Sequence, residues 1–401
     1  MHSLTIIVTY YNSEEYIQSC IESIKQQRTQ DFEVIIVNDG STDQTEALMK
    51  ESLKDYDKKV NYIKLEENQG HAHARNVAMK EVETPYFMFL DADDELASYA
   101  ITFYLDKFNY TDGLIAPVHS FMLKKPQYVD LDKVKVNYFD GKRNINSFLR
   151  KQTACNIIFR TAIVRAHDLK FNEDLNVYTD WSFVIEYSKY VNKFMRITNF
   201  SFYYRGEVYD PFDGKTLSEQ DFDILFEDYV KMFYDAMARV THKETKSFII
   251  NKLEQQIARD FDPTHHDIKK RYAAHKETLV ELARYLNVNL IKHQHLINKI
   301  ETILLMNEDT EKAFQVNQFR KTLRHVKNVV LRNKNKDRSI YELTDKEDNV
   351  KPETIVFESF GGKNYSDSPK YIYEYMQKYY PNYRYVWVFK KTKKHMVPRN
   401  S

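Results

Sequence analysis

The chain has 401 residues, long for one domain and enough for two or three. A hydrophobic content of 42% supports a sizeable core and excludes wholesale disorder, while 59 basic against 58 acidic residues (net charge +1) argue against a dedicated nucleic-acid binder. Two cysteines without metal-ligand spacing, no basic-then-apolar leader and no apolar run of about 18 residues lead to the expectation of a cytoplasmic protein without spanning helices, peripheral on the inner face of the membrane at most.

Leu4 to Val8 reads as a buried strand, and Ser13 is expected to cap a helix running to about Gln27. Phe32 to Val37 predicts a second strand, followed by an Asp39-Gly40-Ser41 turn and a helix from about Thr42. Val60 to Leu65, Gly70 to Lys80 and Tyr86 to Leu90 predict strand, helix and strand. This alternation means βαβ units and a mainly parallel sheet, with ligands expected beyond the C-terminal strand ends. Residues 121–220 are more mixed, with a helix from Asp180 to about Tyr190 and an aromatic strand from Phe202 to Tyr204. From Gln220 to about Asn333 the pattern is helical, as in Phe248, Ile249, Leu253 and Ile257. A charged stretch from Asn333 to Lys351 reads as a linker. Thr354 to Phe357, Ser368 to about Tyr380 and Tyr385 to Phe389 then begin another βαβ pattern. The expected division is 1–219, 220–345 and 346–401, an α/β domain, a helical region and a partial α/β segment.

Asp91-Ala92-Asp93-Asp94 directly follows the fourth strand. Two carboxylates one residue apart can face one hard cation, Mg²⁺ or Mn²⁺, which fills its remaining positions with phosphate and water. An acidic turn ahead of a helix is the alternative, and Asp94 reads as a helix cap. His71 and His73 stand at i, i+2, on different helix faces, which argues against a metal pair.

The cluster is one of a series. Val8-Thr9-Tyr10-Tyr11-Asn12-Ser13-Glu14, Val37-Asn38-Asp39-Gly40-Ser41-Thr42-Asp43, Asn68-Gln69-Gly70 with Ala74-Arg75-Asn76, and Leu90-Asp91-Ala92-Asp93-Asp94 occur in that order. Together they resemble the family 2 glycosyltransferases of the GT-A fold. The resemblance implies a UDP-sugar donor, inversion at the anomeric carbon and a donor-binding set of Thr9, Tyr10, Asn12, Asp39, Asn68, Arg75, Asp91, Ala92, Asp93 and Arg205. Within that set it assigns Tyr10 and Asp39 to the uracil and ribose end and Arg75 to the nucleotide. Asp91 serves the ribose and the metal, and Asp93 binds Mn²⁺ or Mg²⁺ at the diphosphate. Thr9 departs from the family's usual proline.

Inversion needs a general base. The stretch Val177-Tyr178-Thr179-Asp180-Trp181-Ser182-Phe183 resembles the family's base motif and assigns that role to Asp180, although Thr179 replaces the usual Glu. A helix N-cap is the alternative for Asp180, and a core position the alternative for Trp181 beside the acceptor. Arg205, ending Tyr203-Tyr204-Arg205, is either a diphosphate contact or a surface ion-pair partner, and Ser218 is expected in a loop over the donor.

Arg320 to Arg338 holds eight Lys/Arg and one Asp, with Phe319, Leu323, Val326 and Val330 on one helical face. Such a helix either contacts an anionic membrane surface or packs on its neighbours, and the helical region could form a homo-oligomer interface. Ile355 to Phe360, Lys363 to Pro369 and Val386 to Phe389 resemble the start of the CDP-glycerol or CDP-ribitol polymerases that build teichoic acids. The sequence therefore reads as the front portion of a bifunctional protein acting on a polyol-phosphate acceptor. The competing reading is a non-catalytic docking domain that positions the linked polymerase. Four aspartates, 39, 91, 93 and 180, favour the enzyme.

Overall fold

The computed structural model describes residues 3–108, 111–120, 130–149, 153–206, 221–286, 296–327, 353–361 and 363–389. Ser218 and the stretch from Asn333 to Lys351 lie outside them. The strands are β1 (Leu4–Tyr10), β2 (Glu33–Asn38), β3 (Val60–Lys64), β4 (Tyr86–Asp91), β5 (Glu95–Leu96), β6 (Gly113–Ile115), β7 (Val118–Ser120), β8 (Val136–Asp140), β9 (Ile157–Arg160), β10 (Lys193–Ile197), β11 (Tyr203–Arg205), β12 (Thr354–Phe357) and β13 (Arg384–Trp387). The helices of the first half are α1 (Ile17–Lys25), α2 (Thr45–Ser52), α3 (His71–Glu81), α4 (Ala100–Lys107), α5 (Ile145–Phe148), α6 (Thr161–Ala166) and α7 (Thr179–Ser188). Those that follow are α8 (Phe222–Arg239), α9 (Lys243–Asp260), α10 (Ile268–Ala283), α11 (Leu296–Met306), α12 (Thr310–Val326) and α13 (Asp367–Tyr379).

The main sheet has the order β3-β2-β1-β4-β9-β6-β10-β8. β1, β2, β3 and β4 are parallel, as expected from their alternation with helices. β1 is buried along its whole length, as a central parallel strand covered on both faces requires. Strand order reverses between β2-β1 and β1-β4, so the crevice beyond Tyr10, Asn38 and Asp91 is the topological switch point. The mixed pattern after residue 120 has a physical source. β9 runs antiparallel between β4 and β6, and β8 is an antiparallel edge. A small second sheet, β5-β11-β7, carries the aromatic strand.

Two helix starts differ from the sequence expectation. α1 begins at Ile17 with Tyr16 at its cap position, because Ser13 turns outward instead: its N–H donates to Thr45 Oγ1 at 2.7 Å and its hydroxyl to the Tyr11 carbonyl at 3.2 Å. α2 begins at Thr45, since Thr42 and Asp43 are used in binding the 11–14 loop. Gly40 has φ +68°, and a Cβ there would lie 2.3 Å from the Glu67 carbonyl carbon, so only glycine lets the turn after β2 approach the loop after β3.

The chain divides into two compact units, residues 1–293 with 305–308, and residues 294–304 with 309–401. In the first, α8 lies on α7, with Tyr229 edge-on to Tyr178 at 5.3 Å between ring centres. In the second, buried Glu301 accepts from Asn317 Nδ2 at 2.9 Å, joining α11 to α12, and β12 pairs in parallel with β13. Phe319, Leu323 and Val326 are exposed on one face of α12, and the Val330 position of that stripe lies outside the described residues. Among the described residues, no helix is long and apolar enough to cross a membrane.

Candidate active site

The ends of β1, β2 and β4 bring the predicted residues to one edge. Thr9 stands opposite both Val37 and Asp91 in the sheet register, and Tyr10 opposite Asn38. Asn12, at φ +45°, stitches two loops together: its N–H donates to Ser41 Oγ at 3.1 Å, and its Oδ1 accepts from the Thr42 N–H at 2.9 Å. Asp39 is buried and its two oxygens accept from the Gln69 and Gly70 N–H groups, each at 2.9 Å. Asn68 Oδ1 also accepts from Gly70 N–H, at 3.0 Å. Each Asp39 oxygen keeps a second lone pair for a ligand. The Tyr10 hydroxyl faces that of Tyr62 at 3.5 Å, and Tyr62 in turn accepts from Asn38 Nδ2 at 3.2 Å.

The centre of the site is Arg75 rather than the open acidic turn. Its side chain is 1% exposed, and its guanidinium lies over the rings of both Phe89 and Phe171, 4.8 and 5.3 Å from their centres. Nη1 donates to Asp180 Oδ1 at 2.5 Å, and Nη2 to Asp91 Oδ1 at 2.8 Å and to Cys155 Sγ at 3.1 Å. Arg75 thus pairs with two carboxylates, one at the end of β4 and one in the first turn of α7. Asn76 secures the cover: it exchanges hydrogen bonds with both the N–H and the carbonyl of Phe171 and donates to Glu173.

Asp180 occupies the first turn of α7, one residue inside it; Tyr178 is the cap position. Its other oxygen accepts from the Ala154 N–H at 2.8 Å. The capping alternative is therefore not what this side chain does. Trp181 is half-buried beside Tyr229, 6.3 Å between ring centres.

Asp94 differs from the sequence expectation. It caps no helix but is buried, accepting from the Tyr203 hydroxyl at 2.5 Å and from the Gly206 N–H at 2.7 Å. Tyr203 also accepts from the Asp91 N–H at 3.2 Å, which fastens β11 to the acidic turn. One oxygen each of Asp91, Asp93 and Asp94 lie within 4.8 Å of one another, an all-oxygen set suited to a hard divalent cation. Asp94 is engaged by Tyr203 and Gly206 and Asp91 by Arg75 and Cys155, which leaves Asp93 the least engaged of the three. Ala92, between Asp91 and Asp93 in sequence, is buried. His71 Nε2 lies 3.5 Å from Asp91 Oδ1, while His73 Nδ1 meets Glu173 at 2.9 Å, so the two histidines do face apart. Arg205, exposed at the end of β11, acts on Asp93 through its charge.

Electrostatics separate the three carboxyls. Burial pushes Asp91 up, but Arg75, His71 and Cys155 outweigh it and hold the group well below the usual carboxylate range. Burial and the neighbouring Asp91 push Asp93 up to about 6, and burial with Asp91 and Asp93 pushes Asp94 up to about 8. An unfolded Asp ionises near pH 4, so between about pH 4 and about pH 8 the native state binds more protons than the unfolded chain. Stability in EDTA should therefore fall as pH rises across that window; Asp91, lowered instead, loses its contribution only below about pH 4. Thermal midpoints from pH 4.5 to 8 check this, and a flat profile would count against the crowding of these carboxyls.

Several residues of the site escape sequence reading. Cys155 donates to Asp91 Oδ2 at 3.0 Å and Cys20 Sγ approaches the Asp91 carbonyl at 3.6 Å, so two cysteines with no sequence relation meet at one residue. Both are free and buried. Asp228 of α8 is buried too and accepts the N–H groups of Asn176, Val177 and Tyr178. An aspartate inside a polar helical stretch carries no local signal of that role.

Two families match separate parts of the chain. Residues 5–167 match the family described as glycosyl transferase family 2, and residues 340–401 match CDP-glycerol:poly(glycerophosphate) glycerophosphotransferase. A teichoic acid poly(glycerol phosphate) polymerase of Staphylococcus epidermidis is 73% identical over 398 residues, covering 99% of this chain and 55% of that protein. The poly(ribitol-phosphate) beta-N-acetylglucosaminyltransferase TarS of Staphylococcus aureus is 28% identical over 224 residues, covering 51% of this chain and 35% of TarS. The chain thus spans about half or less of the length of these relatives. The crystal structure of S. aureus TarS residues 1–349 in complex with UDP-GlcNAc superimposes with a TM-score of 0.64 at 18% identity, over 80% of this chain and 92% of that one. That likeness establishes the GT-A architecture of the N-terminal part, followed by helices.

Proposed function

Because residues 5–167 form a glycosyl transferase family 2 domain, we propose that this chain transfers a sugar, with inversion, from a UDP-sugar to a hydroxyl of a teichoic-acid-like polyol-phosphate polymer. The observation that carries the reading is the Arg75 bridge, which places Asp180 and Asp91 on either side of one buried cation at the switch-point crevice.

In this reading Tyr10, Asn12, Asp39 and Asn68 form the nucleoside end, with Thr9 and Ala92 shaping its floor. Asp93 and Asp91 hold Mn²⁺ or Mg²⁺ at the diphosphate, and Arg205 adds positive charge there. A bound divalent ion supplies charge neutralisation for the departing diphosphate. Asp180 takes the proton of the acceptor hydroxyl as that oxygen attacks the anomeric carbon from the face opposite the leaving group. Arg75 contributes by orienting both carboxylates. The three-part organisation, 1–219 for transfer, 220–345 helical and 346–401 as the beginning of a polymerase-like segment, belongs to the same proposal. So do a cytoplasmic location, contact of the α12 face with an anionic membrane surface, self-association through the helical region and the absence of a nucleic-acid partner.

The relatives support the donor and acceptor classes: one name specifies poly(glycerol phosphate), the other poly(ribitol-phosphate) and N-acetylglucosamine. The test is a mass-spectrometric screen of UDP-sugars with Mn²⁺, with and without EDTA and a polyol-phosphate acceptor. Acceptor-stimulated consumption of one donor, abolished by EDTA, is the expected result. No turnover with any donor and acceptor would move the assignment to a docking domain. Saturating Mn²⁺ should also flatten the fall in stability between about pH 4 and about pH 8, since bound metal favours the ionised carboxylates.

A further inference from the structure

We infer that Asp228, on the first helix of the helical region, is a positioning residue for the transfer: it holds the backbone that aims Asp180. The inference rests on the reading of Asp180 as the base.

The geometry starts from an entry problem. The first N–H groups of a helix and its approach have no intrahelical acceptor, and a side chain at the cap position normally takes one of them. α7 lacks this help, because its cap residue is Tyr178, with no side-chain cap hydrogen bond. The acceptor comes from another helix. Asp228, 2% exposed on α8, receives the N–H of Asn176 at 2.9 Å on Oδ1. Its Oδ2 receives those of Val177 at 2.9 Å and Tyr178 at 3.1 Å. These are the three residues that lead into α7, and Asp180 follows two residues after the last of them.

A carboxylate is the group this site needs. Three donors converge on it, and it stands before the N-terminus of α7, where negative charge is favoured. An amide of the same shape would turn its NH₂ toward at least one of those N–H groups. Tyr229, the next residue, adds side-chain contacts to Tyr178 and Trp181 of the same turn. Asp180 is thus fixed from two directions. Arg75 and Ala154 hold its oxygens, and α8 holds its backbone. The role is specific to reaction geometry, since a base displaced by about 1 Å can cost on the order of 10²-fold in rate.

The experiment is Asp228→Asn in the full chain, with UDP affinity by calorimetry, donor KM, kcat and the pH dependence of kcat. The expected result is a kcat loss of about 10- to 100-fold, with UDP Kd and donor KM within about twofold, because the donor residues on β1, β2 and β4 are untouched. The acid limb of the kcat profile should move as well, since it reports the base in the complex. Combined with Asp180→Asn, the substitution should cause no further loss, the mark of a residue acting through another. Asp228→Glu, which keeps the charge on a longer arm, should show a smaller loss of the same kcat-only kind and serves if the Asn variant does not fold. An unchanged kcat in a folded variant, a parallel loss of UDP affinity, or equal losses in both backgrounds would overturn the inference. If Asp180→Asn alone keeps full turnover, the base reading fails and takes the inference with it. If Asp180→Asn is inactive and Asp228→Asn is silent, only the inference fails.

Discussion

Asp180→Asn is expected to lower sugar transfer by about 10²- to 10⁴-fold, the range that a positioned general base contributes, while UDP binding stays within about threefold. The separation follows from the geometry. Asp180 enters from α7, whereas the proposed nucleoside contacts enter from the ends of β1 and β2 and the loop after β3. An asparagine can still accept from Arg75 Nη1, but its NH₂ would then oppose the Ala154 N–H that the carboxylate now satisfies. Some loss of stability, about 1–3 kcal/mol for one buried mismatched group, should accompany the substitution. Turnover must therefore be read well below the thermal midpoint. Loss of UDP affinity in step with turnover would show that Asp180 supports the donor site and is not the base.

Removing Arg75 should have the largest effect on the folded state. Arg75→Met keeps an apolar side chain near Phe89 and Phe171 but leaves Asp91 and Asp180 without the cation that pairs with both. Breaking a buried ion pair by deleting one partner costs about 3–5 kcal/mol, which for a unit of this size lowers the thermal midpoint by on the order of 10 °C. The sign with pH is also set. Without Arg75, the Asp91 carboxyl is no longer held down, so the stability it contributes above about pH 4 disappears, and the gap between variant and parent should narrow as the pH falls through that value. Arg75→Lys retains a charge but not the fork that reaches two carboxylates and a thiol at once, so an intermediate midpoint is expected. Scanning calorimetry at pH 4 and pH 7 checks both variants. An unaltered midpoint in Arg75→Met would mean that the bridge is not what joins α3 to β4 and α7.

Much of the first half was legible from local patterns. Apolar runs at Leu4, Phe32 and Tyr86 became parallel strands because a strand buried on both faces must be apolar throughout, while the strand at Val60 is a half-buried edge. Asp91 and Asp93 could be placed at a strand end for the same reason. The helix starts near Ser13 and Thr42 differ from the expectation, since the backbone N–H groups of both residues donate across the two loops, Ser13 to Thr45 Oγ1 and Thr42 to Asn12 Oδ1. The antiparallel insertion of β9 had no sequence signal, because a four-residue buried strand does not reveal its direction.

The sequence by itself determined the alternation of strands and helices and the order of the polar residues that end the strands, since hydrophobic period and turn chemistry act over a few residues. Only the tertiary structure decided what those residues do. It buried Arg75 against two carboxylates, turned Asp94 from a cap into the anchor of Tyr203, and brought Cys155 to Asp91 and Asp228 to the entry of α7. These pairings join residues from 16 to 109 positions apart. They exist because packing the helices on the sheet strips water from polar groups, which must then find their partners in whatever segment the fold places beside them.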